Sequence, residues 1–129
     1  MNIPEGLRYT KDHEWAKVEK DNVRMGITDY AQHELGDIVF VDLSPAGTTV
    51  RKGDSVGTVE SVKAVSEVYA PVSGTIASIN PELETSPELV NQDCYGRGWM
   101  VVISAPSTEE THVLMDAEAY REYLSKEAK

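Results

Sequence analysis

The sequence predicts a mostly β fold, a sandwich or flattened barrel with short helices added to it, on three observations. Short β-branched runs recur along the chain, among them Val23 to Ile27, Ile38 to Val41 and Gly74 to Ile79. Turns marked by Gly, Pro or Asn separate these runs at close intervals. Helical patterning is confined to a short stretch after Ile27 and to the C-terminal tail.

Taken in order, residues 13–19 and 22–27 form an antiparallel hairpin turned at Asp21-Asn22. Val23, Met25 and Ile27 alternate with Asn22, Arg24 and Gly26, the period of a half-buried strand. Thr28 then offers a capping hydroxyl and Asp29 a charge suited to a helix N-terminus, while Gly36 supplies a stop. A helix over 29–35 is short enough to need packing, through Ala31 and Leu35 on one face. Ile38 to Val41 is a continuous apolar run between Gly36-Asp37 and Pro45, which predicts a strand covered on both faces. Turns at Ala46-Gly47 and Lys52-Gly53-Asp54 leave room for only a short strand at 48–51.

Val56 to Val62 and Val65 to Ala70 are the arms of a second hairpin, closed by a type I turn at Val62-Lys63. Alternation is clean for Val68, Ala70 and Val72 and broken at Val56 and Val59. Residues 74–79 form a strand stopped by Asn80-Pro81. The polar segment from Pro81 to Asn91 holds a capped helical turn at Ser86-Pro87-Glu88. Trp99 to Ile103 is a last buried strand. Helices then occupy about 108–126: Ser107 and Glu110 stand at capping-box spacing, and Asp116 opens a helix whose Ala117, Tyr120 and Leu124 share a face. The strand-rich part spans about 22–104.

With 129 residues, 40% of them hydrophobic and 26% charged, the chain is expected to form one globular domain, 1–129. No run approaches the ~20 apolar residues of a membrane-spanning helix. Met1 to Glu14 shows neither an apolar core nor an Arg-rich amphipathic pattern. The expectation is a cytoplasmic protein of bacterial type, or one of the mitochondrial matrix if a eukaryotic precursor has been processed. The formal charge of −10 argues against a nucleic-acid partner, since phosphate contacts need basic patches and the sequence shows none, and self-repulsion favours a monomer. A single cysteine, Cys94, forms no internal disulfide. The three histidines, His13, His33 and His112, are too scattered for a metal site. Phosphate-loop and nucleophile-elbow motifs are absent from the sequence, and Trp15 and Trp99 read as packing residues.

The chain is organised around Val59-Glu60-Ser61-Val62-Lys63-Ala64-Val65-Ser66. Gly53 stands ten residues before Lys63 and Gly74 eleven after it, so two similar halves flank one lysine at a hairpin tip. An exposed lysine stays protonated and is a poor catalyst at neutral pH, but it is well placed for enzymatic acylation.

Glu60-Ser61-Val62-Lys63-Ala64, with Gly53-Asp54 before it and Ala70-Pro71-Val72-Ser73-Gly74 after it, resembles the lipoyl-attachment region of glycine cleavage system H proteins. The resemblance extends through His13-Glu14-Trp15, residues 26–32, residues 35–43, residues 86–91 and Gly98-Trp99, covering about 7–123. It implies a lipoyl-domain-like barrel–sandwich hybrid of two antiparallel sheets related by a quasi-dyad. Lys63 would carry lipoate in amide linkage, and Glu60, Ser61, Val62 and Ala64 would form the context read by the lipoylating enzyme and partner enzymes.

The resemblance also implies a carrier and not an enzyme. Its partners would be a pyridoxal-phosphate glycine decarboxylase, a tetrahydrofolate-dependent aminomethyltransferase and a dihydrolipoyl dehydrogenase, which reoxidises the arm. Glu14 and Glu67 are implied to line a cleft for the loaded arm, with Glu67 where a shorter Asp is frequent. Where some members place a histidine this chain has Glu34, with His33 on a different helix face, so a cleft role for His33 is not implied. An H-like relay passing lipoate to other enzymes is the alternative. A biotin carrier is disfavoured because Val62 and Ala64, not methionines, flank the lysine. A lipoyl domain of a 2-oxoacid dehydrogenase is disfavoured because Val62 replaces the usual Asp and a helical tail follows the strands. An enzyme using Lys63 directly, or a plain interaction module, ranks below these.

Overall fold

Local chemistry sets most of the element boundaries. In the computed structural model, which describes residues 1–105 and 109–127, β1 is Arg8–Tyr9, β2 Glu14–Glu19 and β3 Asn22–Ile27. Thr28 Oγ1 accepts a hydrogen bond from Ala31 N, opening α1 (Asp29–Leu35), and Gly36 at φ +82° closes it by donating to Gln32 O. There follow β4 (Ile38–Leu43), β5 (Thr49–Val50), β6 (Ser55–Ser61), β7 (Val65–Tyr69) and β8 (Gly74–Ile79). The chain then forms α2 (Glu82–Thr85), α3 (Leu89–Gln92), β9 (Val101–Ser104), a 3-10 turn (Glu109–Val113) and α4 (Ala117–Glu127).

The strands form two antiparallel sheets, β1-β2-β3-β9-β8-β5 and β4-β6-β7, without closing into a barrel. Between them lies one apolar core, drawn from Val23, Met25 and Ile27 of β3, Val56 and Val59 of β6, Val68 of β7, Ile76 of β8, and Val101 and Ile103 of β9. A second cluster forms where Tyr120 of α4 stacks on Tyr9, with ring centroids 4.7 Å apart. Trp15 is buried in the same cluster, where its Nε1 donates to Cys94 O at 3.0 Å. Ala117, Tyr120 and Leu124 are the buried face of α4, as their spacing predicts. Asp116 caps that helix by accepting from Ala119 N.

Several expectations need correction. The strand at Ile38–Leu43 is not covered on both faces: Val39 is 50% exposed and Phe40 55%. A bulge between Ile38 and Phe40 places Val39 as an extra residue, which leaves both side chains outside. A second bulge, between Ser55 and Gly57, explains the broken alternation, because it shifts Val56 onto the same inner face as Val59. In the segment 81–91 there are two helical turns, not one, and the sequence reading missed α2. The second turn begins later than expected, at Leu89, and the Ser86 side chain does not cap it; the Ser86 carbonyl accepts from Leu89 N instead.

Gly53 and Gly74 are not equivalent turns. Gly53 holds φ +94° in a left-handed turn. Gly74 begins β8, where a Cβ would stand 2.2 Å from Ser104 O. Ser107 lies outside the described residues, so its capping role does too. The Glu110 carboxylate accepts from Ser73 N at 2.7 Å and Ser73 Oγ at 3.1 Å, tying the 3-10 turn to the β7–β8 loop.

Candidate functional site

The β6–β7 hairpin carries Lys63 at its tip. Its last cross-strand pair is Glu60 with Val65. Beyond that pair, Ser61 closes the loop by donating its backbone N–H to Ala64 O at 2.8 Å. The Ser61 hydroxyl lies inside the loop, accepting from Lys63 N at 3.2 Å and Ala64 N at 3.0 Å, and lies 3.2 Å from Ala64 O. The turn is therefore at Val62-Lys63 as the sequence predicts, but a side-chain oxygen takes the Ala64 N–H that a type I turn would give to the Ser61 carbonyl. Ser61 is only 6% exposed. Its side chain faces inward and shapes the tip, while Glu60, Val62, Lys63 and Ala64 are the parts a partner can touch.

Lys63 is exposed and makes no ion pair among the described residues. Its stem passes over the end of α1, where a Cβ added to Gly36 would meet Lys63 Cε at 3.7 Å, ordinary contact. Val62 N donates to Asp37 O at 3.1 Å. The amine is thus free, on a short loop whose backbone is fixed at both ends. These features fit an acyl group in amide linkage, because the modifying enzyme can reach Nζ and the modified chain can leave the surface.

Glu14 sits at the start of β2, only 2% exposed, beside a cleft of about 270 Å³ lined also by Thr10, Lys52, Tyr69, Pro71 and Met115. Its Oε1 accepts from Thr10 Oγ1 at 2.7 Å and its Oε2 from Tyr69 N at 3.1 Å. Burial pushes its pKa up to about 7; those two hydrogen bonds pull against the rise, and Asp12 adds to it. Near neutrality Glu14 therefore exists in both forms, and a cation entering the cleft would favour the ionised one.

The other implied cleft residues lie elsewhere. Glu67 faces Thr58 across β6–β7, is exposed and accepts from Ser55 Oγ; it does not line the cleft around Glu14. Glu34 is exposed at the end of α1 and accepts from Tyr30 OH at 3.3 Å, and His33 is exposed beside it. Thr10 and Tyr69 were missed by the sequence reading. The signal for Thr10 is a hydroxyl four residues before a carboxylate across a turn, while Tyr69 acts through its backbone and leaves no side-chain signature. Cys94 is buried, with its thiol pushed up to about 12 by burial, and is inert. No group of three or more His, Cys, Asp or Glu among the described residues could hold a metal ion. Nor is any helix among them long and apolar enough to cross a membrane.

A free amine at the tip of a braced hairpin in the three-stranded sheet is the arrangement that a lysine-bearing carrier domain requires. The family profile described as glycine cleavage H-protein matches residues 7–127. A glycine cleavage system H protein of Salinibacter ruber is 57% identical over 122 residues, covering 95% of this chain and 98% of its own. That of Halalkalibacterium halodurans is 50% identical over 126 residues, covering 98% of each. The crystal structure of a glycine cleavage system H protein from Mycobacterium marinum superposes with a TM-score of 0.86 at 37% identity, covering 98% of this chain and 100% of that one. The chain belongs to the glycine cleavage H-protein family, which are lipoyl carriers of the glycine cleavage system and not catalysts.

Proposed function

We propose that this protein carries lipoate on Lys63 and shuttles the aminomethyl group of glycine between the enzymes of glycine cleavage. The observation that carries the proposal is Lys63 itself, exposed, unpaired and set on a tip closed by Ser61. A lipoylating enzyme supplies the acyl group in activated form, and Lys63 Nζ gives up a proton as the amide forms. When bound, lipoate supplies a disulfide whose sulfur takes up the aminomethyl group and whose thiols are later reoxidised.

The protein's own residues do three things. Ser61 and Asp37 hold the tip so that every partner meets Lys63 in one setting. Glu60 and Val62 stand exposed beside the amine as recognition contacts. Glu14 offers a buried carboxylate to a cationic amine brought into its cleft, whose walls include Thr10, Tyr69 and Met115. Glu67, the second carboxylate the resemblance implies, stands on β7 of the hairpin outside that cleft and has no part in holding the amine there. The partners are a pyridoxal-phosphate decarboxylase, a tetrahydrofolate-dependent aminomethyltransferase and dihydrolipoyl dehydrogenase. The protein works as a cytoplasmic monomer, one domain in extent.

The test is an intact mass of protein from cells supplied with lipoate, with peptide mapping. One lipoyl adduct on Lys63 is expected. A biotin adduct, or no adduct in cells that lipoylate another protein, overturns the reading.

A further inference from the structure

The lysine hairpin touches the body of the protein at a corner formed by Gly36, Asp37 and Ile38, and that corner is held by one side chain from a different element. Asn91, on α3, uses its whole amide there. Its Nδ2 donates to Gly36 O at 2.9 Å and to Gln32 Oε1 at 3.0 Å, and its Oδ1 accepts from Ile38 N at 2.8 Å. The partners fix which way the amide points, since Ile38 N can only donate and Gly36 O can only accept. Gln32 is in turn held by donating its Nε2 to Asp29 Oδ1 at 2.7 Å.

Asn91 thus grips the residues on either side of Asp37 and leaves the Asp37 carbonyl free to turn toward the hairpin. That carbonyl accepts from Val62 N at 3.1 Å. Within the tip, Lys63 N and Ala64 N both bond to Ser61, which belongs to the hairpin itself. Among the described residues, the Val62–Asp37 bond is therefore the one backbone hydrogen bond between residues 62–64 and the protein outside the hairpin. The lysine stem then crosses Gly36, the residue whose carbonyl Asn91 holds.

We propose that Asn91 is a positioning residue for lipoylation: by clamping Gly36 and Ile38 it aims the Asp37 carbonyl that moors the Lys63 tip. The proposal rests on the reading of Lys63 as the lipoylated residue. Ser61 sets the shape of the loop and Asn91 sets where that loop stands on the protein. A modifying enzyme selects the moored tip, so loosening the mooring lowers the fraction of protein ready to bind. Apparent KM rises by the inverse of that fraction, while turnover of the bound complex is unchanged.

The test uses Asn91→Asp, which keeps an acceptor for Ile38 N but sets oxygen against Gly36 O and Gln32 Oε1. Wild-type and variant apo-protein are compared as substrates of a lipoylating enzyme supplied with lipoate and ATP, and by amide hydrogen exchange. The variant is expected to raise KM about tenfold with kcat within twofold. Exchange at Val62 should quicken about tenfold, while Met100, whose N–H bonds to Met25 O in the core, keeps its protection. If Asn91→Asp does not fold, Asn91→Ser, which keeps a single hydroxyl, is measured in the same way. Unchanged KM and Val62 exchange in a folded variant overturn the proposal, as does a fall in kcat and in protection everywhere. If the wild type itself is not lipoylated on Lys63, the carrier reading fails, and the exchange data still report whether Asn91 moors the tip.

Discussion

Glu14 is a buried carboxylate in an environment that its type does not prefer, and the departure has a measurable sign. A carboxyl raised from 4.5 to about 7 binds its proton more tightly in the folded protein than in the unfolded chain. Between those values the native state holds more protons, so stability falls as pH rises. The contribution is present in full below about pH 4.5 and is lost as pH climbs through about 7. The displacement corresponds to ~3 kcal/mol. Glu14→Gln removes the titration but keeps the contacts, since its carbonyl can accept from Tyr69 N and its amide can donate to Thr10 Oγ1. Denaturant unfolding of the two proteins should therefore diverge by ~3 kcal/mol in favour of Glu14→Gln between pH 4.5 and pH 8. Parallel profiles would mean that Glu14 titrates as an ordinary carboxylate. In the lipoylated, aminomethyl-loaded protein the same substitution should shorten the lifetime of the loaded arm severalfold; an unchanged lifetime removes Glu14 from the sheltering role.

At the scale of elements, two predictions separate shape from space. Ser61→Ala takes away the acceptor for two tip amides and should cost about 1 kcal/mol with slower lipoylation, both restored by Ser61→Thr. Rates equal to wild type for Ser61→Ala would show that the hydroxyl does not shape the tip. Gly74→Ala drives a Cβ against Ser104 O, a backbone atom that cannot step aside, and should cost about 3 kcal/mol by denaturant unfolding. A loss below half of that would show that β8 and β9 can separate without penalty. How far each element was legible follows from what determined it. α1 was readable to the residue because Thr28 and Gly36 settle its ends through local bonds. The Lys63 hairpin and the burial of α4 were readable because turn position and helical period are local as well.

What escaped the sequence was decided at a distance. The bulge that exposes Val39 and Phe40 arises from how β4 registers on β6, so an apolar run looked like a strand buried on both faces. α2 is four residues long, below any usable period. In the site, Lys63 and Glu14 were legible as residue types in a recognisable order. Two of the groups that give them their surroundings act through backbone atoms, Asp37 O and Tyr69 N, which any residue could supply.

For the molecule as a whole, charge and hairpin belong to one argument. The formal charge is −10, and β4, β6 and β7 contain no Lys or Arg. Asp42, Glu60 and Glu67 stand on those strands, with the apolar side chains of Val39, Phe40, Val62 and Val65 exposed near them. Lys63 stands at the tip joining β6 to β7, and the proposed amide would remove its charge. With Lys63 lipoylated as proposed, the charged residues of these strands and their tip would all be acidic, around an apolar centre, which would suit brief encounters with basic surfaces on partner enzymes. Long-range attraction of this kind acts on approach, so it raises the association rate more than it slows departure. Raising the salt concentration from about 0.05 M to about 0.5 M shortens the screening length several-fold. Stopped-flow binding of the lipoylated protein to a partner enzyme should then show an association rate that falls at least tenfold across that range, with a dissociation rate that changes less than threefold. Glu60→Gln with Glu67→Gln should flatten the salt dependence without altering the fold. A salt-independent association rate would instead leave shape and the apolar patch to carry recognition, and the acidic face would serve solubility alone.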